Sequence, residues 1–542
     1  MPACRQVLVV GGGTAGWLTA AYLARSLGSA RGGVQVSLVE APGIAPMGVG
    51  EGSFPSLRST LSHLGLDEAD FMQRCQATWK QGIRFDHWLR EPGTPGVPSG
   101  YLHPFNTPSQ RPGGPDLVSH WVAGHAPAGR PFAEAVSLQA AVVAAGRAPK
   151  RAADGPWQGP MNHAYHFDAG ALAQLLSQQA QRLGVRHVPA TVERASLDER
   201  GHIAALHTPE AGDLHADLYV DCTGLRASLI GDALGQPLRP VADTLFVDRA
   251  LALQVPWPAP DTPIPPVTIS TAQSAGWIWD IGLQQRRGVG HVYASRYCDD
   301  DTAERALRAH VGPAADGLEV RRLEMRLGWR EQAWVGNCVA VGLSGGFLEP
   351  LEASGVGLVE TAAYLLAHRF PHDGDFAAPA RFFNHFMSER YRRIVDFIKL
   401  HYALTQRRDS AFWRDNADPA SWPESLREHL AAWRLRPPHR LDFNADLEMY
   451  PPSSWQYVLY GMGYATDPAA LRPVLGEPAQ AAAARDEFAR LAQVGTHAVA
   501  DLPPHRALLA RQAEARAGAA AARAATLAPG APGSGQVART PA

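Results

Sequence analysis

The run Gly11-Gly12-Gly13-Thr14-Ala15-Gly16 is the first place where residue type and spacing imply a chemistry. Gly11, Gly13 and Gly16 satisfy the GxGxxG pattern between a strand-like run, Val7–Val10, and a helical stretch from Trp17 to Leu27. Glycines there permit a tight turn, close approach of backbone to a pyrophosphate, and close packing of helix on strand. The helix start, with Thr14 and Ala15, then presents N–H donors and a positive dipole end to the phosphates. The alternating run Val34–Val39 continues into Glu40, an acid placed to accept from ribose hydroxyls. This fingerprint fits NAD and FAD equally.

A second group lies in Gly346–Gly355, where Glu349 and Glu352 precede a helix that starts near Ser354. Backbone N–H groups of Ser354 and Gly355 at that start suit a small anion. Glu352 reads either as a carboxylate able to stabilise a cation and take its proton, or as an acid favoured by the helix dipole. Glu349 reads as structural. Trp277 and Trp279 share one face of a strand, because strand side chains repeat every two residues. They read equally as the wall of a site or as core. Phe105, in His103-Pro104-Phe105, is a stacking surface worth ~1 kcal/mol beyond burial, or a loop anchor.

The elements that must hold these residues follow from periodicity. Helical spacing covers two stretches up to about Lys80, then Asp168–Leu183, a segment from near Ser354, and long runs from about 378 to 435. Short strand-like runs fall at 186–197, 203–208 and 213–220, with more between about 244 and 295. Residues 91–115 are dense in Pro and Gly and read as a long ordered loop, the usual form of a lid or substrate wall. From about 516 the chain is rich in Ala, Gly, Pro and Arg and reads as a disordered tail. The expected division is a dinucleotide-binding module at 1–375 with a second sheet interleaved, a helical substrate-side region at 376–515, and the tail at 516–542.

Composition narrows the class. The 542 residues can bury a large core, and a net charge of −2 provides no field to attract nucleic acid or an anionic membrane. Cys4, Cys75, Cys222, Cys298 and Cys338 form no CxxC pair, so neither a disulfide framework nor a metal site is expected, and a reducing cytoplasm fits. No apolar stretch reaches ~18 residues, so no membrane span is expected.

The strand Ala216–Gly224, ending Asp221-Cys222-Thr223-Gly224, resembles the second cofactor segment of flavoprotein monooxygenases. Three further segments resemble the flavin-dependent tryptophan halogenases. Ala77–Phe85 is similar to their lysine segment, Gly276–Gly282 to their WxWxIP box, and Gly346–Gly355 to their FxEPLExTG segment. Gly48–Gly52, Ala164–Ala169 and Phe397–Tyr402 add support, and the likeness extends from residue 6 to about 415.

The resemblance implies an α/β fold: an FAD-binding, Rossmann-like module of the monooxygenase type, an interleaved second sheet and a mainly helical C-terminal part. It implies FAD, delivered as FADH2 by a separate NAD(P)H-dependent flavin reductase, with O2 and chloride or bromide as co-reactants. Lys80 is implied as the residue that delivers halogen from hypohalous acid, with Glu352 assisting substitution on a small, indole-like aromatic substrate. Ser354 and Gly355 are implied at the halide, and Gly50, Val192, Asp221, Leu343 and Val356 join the fingerprint residues at the cofactor. His103, Phe105 and Trp455 are implied at the substrate.

Two positions depart from the family pattern. Gly282 stands where the family has proline, which would loosen the strand end, and Ala353 removes a hydroxyl beside the reaction path. An aromatic hydroxylase shares the cofactor segments and is the alternative enzyme; a non-catalytic flavin sensor would need neither Lys80 nor Glu352. Substrate identity, regiochemistry, halide preference and oligomeric state are not legible.

Overall fold

Strand Gln6–Val10 forms the middle of a six-stranded sheet because Val7 to Val10 are buried on both faces. In this computed structural model, which describes residues 3–43, 50–94, 99–476 and 478–527, the strand pairs in parallel with Gln35–Glu40 and Leu218–Asp221. The sheet continues through Arg186–Pro189 at one edge and Cys338–Ala340 with Trp334–Val335 at the other. Parallel strands covered on both sides read as continuous apolar runs, as these do. The helices Thr14–Leu27, Ala169–Arg182 and Ser354–His368 pack together against this sheet.

A second, seven-stranded sheet is interleaved with the first in the sequence. It runs from Arg321–Glu324 through Arg249–Pro256, Arg286–Tyr293, Gly276–Gly282, Thr268–Ala272 and Gly82–Asp86 to Tyr101–Pro104. Between the two lies a small antiparallel sheet of Gly50–Gly52, Ala164–Asp168 and Thr78–Lys80. The C-terminal third is helical, led by Ala377–Ala403, and the expected fold class holds.

Three expectations change. Residues 91–115 are not all loop: Tyr101–Pro104 is an edge strand, its Arg84↔Leu102 register fixed by pairing with Gly82–Asp86. Lys80 does not close a helix but ends a strand, after helices Ser56–His63 and Glu68–Arg74. The stretch beginning at 516 is helical to Leu527 within His505–Leu527. Ala and Arg are strong helix formers, so a composition poor in apolar residues still propagates a helix once it is anchored. Arg516 supplies an anchor, reaching Asp70 at 2.6 Å. Residues 528–542, and with them the rest of the expected tail, lie outside the described residues, as do Gly48 and Val49.

Among the described residues no helix is long and apolar enough to cross a membrane, and no cluster of side chains is arranged to hold a metal. The four cysteines Cys4, Cys75, Cys222 and Cys338 are buried and all five are free.

Candidate active site

The glycine turn has the form that a phosphate cradle requires. Added Cβ atoms at Gly11 and Gly16 would meet backbone oxygens at 2.4 Å and 1.8 Å, whereas one at Gly13 would meet nothing within 4 Å. Two glycines therefore permit packing and the third leaves an open face. Gly13 also caps the Thr14–Leu27 helix without a side-chain hydrogen bond, so the first N–H groups stay available to an anion. Thr14 Oγ1 bonds Ala169 O, and Ala15 abuts Gly342, which brings the short turn carrying Leu343 to the cradle. Glu40 ends its strand beside the turn, its Oε1 2.9 Å from His187 Nε2. Gly50 is buried against Ile281, Val192 is half-buried after the sheet's edge strand, and Val356 is buried in the first turn of the Ser354–His368 helix. The open face and uncapped helix fit a dinucleotide's pyrophosphate. Asp221 departs from the expected role. Its carboxylate is fully buried and taken up by Thr223 N and Oγ1, Leu229 N and Ile230 N, so it shapes the turn that follows the strand.

Lys80 is 1% exposed. Its strand is held from three sides. Trp79 pairs with Tyr165, Thr78 Oγ1 donates to Gly282 O at 2.6 Å, and Trp79 N–H donates to His505 Nε2 at 3.2 Å. The Thr78 bond and the pairing of Gly282 with Arg287 tie down the strand end that lacks proline. Lys80 Nζ donates to Ser53 O at 3.4 Å and stands 5.5 Å from the centre of the Phe105 ring. No carboxylate lies within ion-pair distance of it among the described residues. Burial disfavours the ammonium, partly opposed by the charge of Glu352, and lowers the pKa to about 8.

Glu352 and Glu349 sit three residues apart on one short segment, yet their environments drive them in opposite directions. Both dock on neighbouring residues of the Ala377–Ala403 helix. Burial pushes each carboxyl up. Glu349 Oε2 accepts from Trp277 Nε1 at 3.0 Å and Tyr402 OH at 2.6 Å, its Oε1 has no partner, and its pKa stays up at about 7. Glu352 Oε1 faces two imidazoles, His103 Nδ1 at 2.9 Å and His401 Nε2 at 3.2 Å, which outweigh burial and hold its pKa at about 2. At neutral pH Glu352 is therefore ionised inside the protein. Paired carboxyls driven apart in this way mark a division of roles.

Ser354 and Gly355 open a helix whose N-cap, Ala353, offers no side-chain hydrogen bond and adopts a left-handed φ of 57°. Their N–H groups lack intrahelical partners, and Gly355 is exposed, so an anion can reach them.

A cavity of about 950 Å³ is lined in part by Phe54, His103, Phe105, Met449 and Ser453, of which His103 bonds Glu352 and Phe105 lies against Lys80. Its size matches small-molecule sites. A larger cavity of about 1600 Å³, bordered by Trp121, Phe132, Pro266 and Tyr460, reaches neither His103 nor Phe105, the residues through which the smaller one meets Glu352 and Lys80. Chemistry rather than size therefore selects the smaller one. Trp277 and Trp279 do share a face, with ring centres 6.3 Å apart, and Trp277 bonds Glu349. Trp455 is not a cavity wall. Its indole is buried against Phe443 and Trp433, and Phe397 packs between it and His103.

Three residues of the cluster carry no local sequence signal for a site: His401, Tyr101 and Tyr450. His401 lay in a recognised stretch, but nothing local to Lys399–Tyr402 says which residue meets a carboxylate 49 positions upstream. Tyr101 looked like loop, and its hydroxyl bonds His401 Nδ1. Tyr450 stacks on Phe397 and lies within the field of Glu352.

The profile of the tryptophan halogenase family matches residues 6–477. The chain is 38% identical to tryptophan 6-halogenase SttH of Streptomyces toxytricini over 92% of its own length and 96% of that protein's. The structure of a tryptophan halogenase from Shewanella frigidimarina NCIMB 400 superposes with a TM-score of 0.89 at 38% identity, covering 94% of this chain and 98% of that one. BrvH, a flavin-dependent halogenase from Brevundimonas sp. BAL3, gives a TM-score of 0.82 at 35% identity over 94% and 100%. With this cradle, and with the expected lysine and glutamate segments in place, the chain belongs to the tryptophan halogenase family and is an FAD-dependent halogenase.

Proposed function

We propose that the protein installs chlorine or bromine on the indole ring of tryptophan or a tryptophan-like substrate. Reduced FAD, delivered by an NAD(P)H-dependent reductase, supplies with O2 the two-electron oxidant that turns halide into hypohalous acid. The glycine turn holds the cofactor's pyrophosphate, and the N–H groups of Ser354 and Gly355 hold the halide. Lys80 Nζ then receives hypohalous acid. As an ammonium it hydrogen-bonds and polarises the molecule; as a free amine it takes the halogen and releases water. The ring's π electrons form the carbon–halogen bond as the N–halogen bond breaks and leaves its pair on the Lys80 amine, or as the O–halogen bond breaks and its oxygen leaves as water with the Lys80 proton. The ring proton passes to Glu352 as the C–H electron pair returns to the ring. His103 and Phe105 orient the ring, and Phe105 also shields Lys80 from bulk water.

The observation that carries this reading is the burial of Lys80 and an ionised Glu352 within electrostatic reach of each other, separated from a cavity of substrate size by Phe105 and His103. Two of the relatives named above, SttH and the Shewanella frigidimarina protein, are described as tryptophan halogenases and support an indole.

The test supplies a flavin reductase, NADH, FAD and O2 with tryptophan or free indole, giving chloride and bromide in separate reactions. Mass spectrometry should show halide-dependent product. Lys80→Ala should lose that product by about 10²-fold or more while still consuming reduced flavin. An oxygenated product would establish a hydroxylase instead.

A further inference from the structure

The carboxylate of Glu352 is held asymmetrically. Both imidazoles meet Oε1, while no hydrogen bond among the described residues reaches Oε2. His103 makes a well-formed bond, but His401 Nε2, at 3.2 Å, lies off the line of one. His401 is buried, and its other ring nitrogen, Nδ1, bonds the Tyr101 hydroxyl. Neutral imidazole can have only one N–H, and the tautomer follows from what the other nitrogen meets. Tyr101 has no closer acceptor among the described residues, so its O–H donates to Nδ1 and leaves the N–H of His401 on Nε2, facing Glu352. The Tyr101 ring is itself locked, stacked on Phe85 with centres 4.7 Å apart.

We propose that His401, its tautomer set by Tyr101, is a positioning residue that keeps Glu352 a carboxylate with Oε2 free to take the ring proton. The proposal rests on the halogenase reading and extends it to residues that touch neither halogen nor ring. Its work is directional: Tyr101 donates to His401 Nδ1, which leaves the His401 N–H on the nitrogen 3.2 Å from Glu352 Oε1, an electrostatic contact short of a well-formed hydrogen bond. When the ring C–H breaks, its electron pair returns to the ring and the proton is accepted at Oε2. The charge of His401 does not change, since burial depresses its basicity despite the nearby carboxylate. The other groups facing Glu352 are His103 from the edge strand, Lys80 from the small sheet and the Tyr450 phenol.

The pH profile of kcat for halogenated product provides the test, in wild type, His401→Gln, His401→Phe and Tyr101→Phe. In wild type Glu352 stays ionised down to about 2, so no acid limb from this group falls in the working range. Removing one donor raises the Glu352 pKa, and because the carboxylate is the active form, activity is then lost as pH falls through that raised value. His401→Phe should lower kcat about 10²-fold, with little change in KM, and bring an acid limb into the measurable range. His401→Gln, whose amide can still donate, should recover much of kcat and move the limb back down. Tyr101→Phe should raise the limb, as His401→Phe does, but by less. If His401→Phe lowers kcat with no change in the profile, or if Gln rescues nothing in a protein that folds normally by circular dichroism, the positioning role is overturned. Absence of halogenated product from wild type overturns the underlying reading instead.

Discussion

Lys80 and Glu352 illustrate how burial can push one group toward reactivity while neighbours hold another in its charged form. Burial favours the free amine of Lys80 and lowers its pKa to about 8; two imidazoles keep Glu352 ionised. A free amine can accept halogen and an ammonium cannot, so the amine route requires product formation to rise as pH climbs through about 8. That rise is the expected outcome, measured as rate against pH at fixed hypohalite supply. Lys80→Arg, charged at every accessible pH, should abolish the limb together with most of the activity. A rate that falls through the same range would assign the ammonium as the working form.

At the scale of elements, a three-residue strand such as Thr78–Lys80 has too few ladder bonds to hold a buried amine in place by itself. The small sheet is clamped from behind. Glu68 accepts from Lys150 Nζ at 2.8 Å, Tyr165 OH at 2.6 Å and Trp157 N at 2.7 Å, and Tyr165 is the residue paired with Trp79. Lys150→Met leaves a buried carboxylate without its cation and should cost about 3 kcal/mol of stability, read from the denaturant midpoint. Pairing it with Glu68→Gln should return much of the loss, because no charge is then left unpaired.

Across the whole molecule the site is closed by residues that are remote in the chain. His505, at the start of the last described helix, accepts from Trp79 N–H and bonds Ile264 O through its other nitrogen. His505→Ala leaves the Trp79 N–H unpaired and should cost about 1–3 kcal/mol. It should also lower halogenated product relative to flavin consumed, as Lys80 loses its fixed position. Unchanged coupling in that variant would show that the Lys80 strand holds itself.

The nucleotide fingerprint was legible in the sequence because its physics is local: strand, glycine turn and helix start are contiguous, and glycine sterics decide the turn. The segments around Lys80, Trp277 and Glu352 were legible as resemblance, and the fold followed from them. What they become chemically was not. Nothing near Glu352 in the chain says that His103 and His401 will share one of its oxygens, or that Tyr101 will leave a loop for an edge strand. The surroundings of Asp221 and Trp455 were not legible either: the Asp221 carboxylate is taken up by backbone two to nine residues on, and the Trp455 ring packs on Phe397 from another helix. Residue identity determined that an amine and a carboxylate were present. Only tertiary burial, which removes water and brings distant dipoles to bear on them, decided their charges and directions.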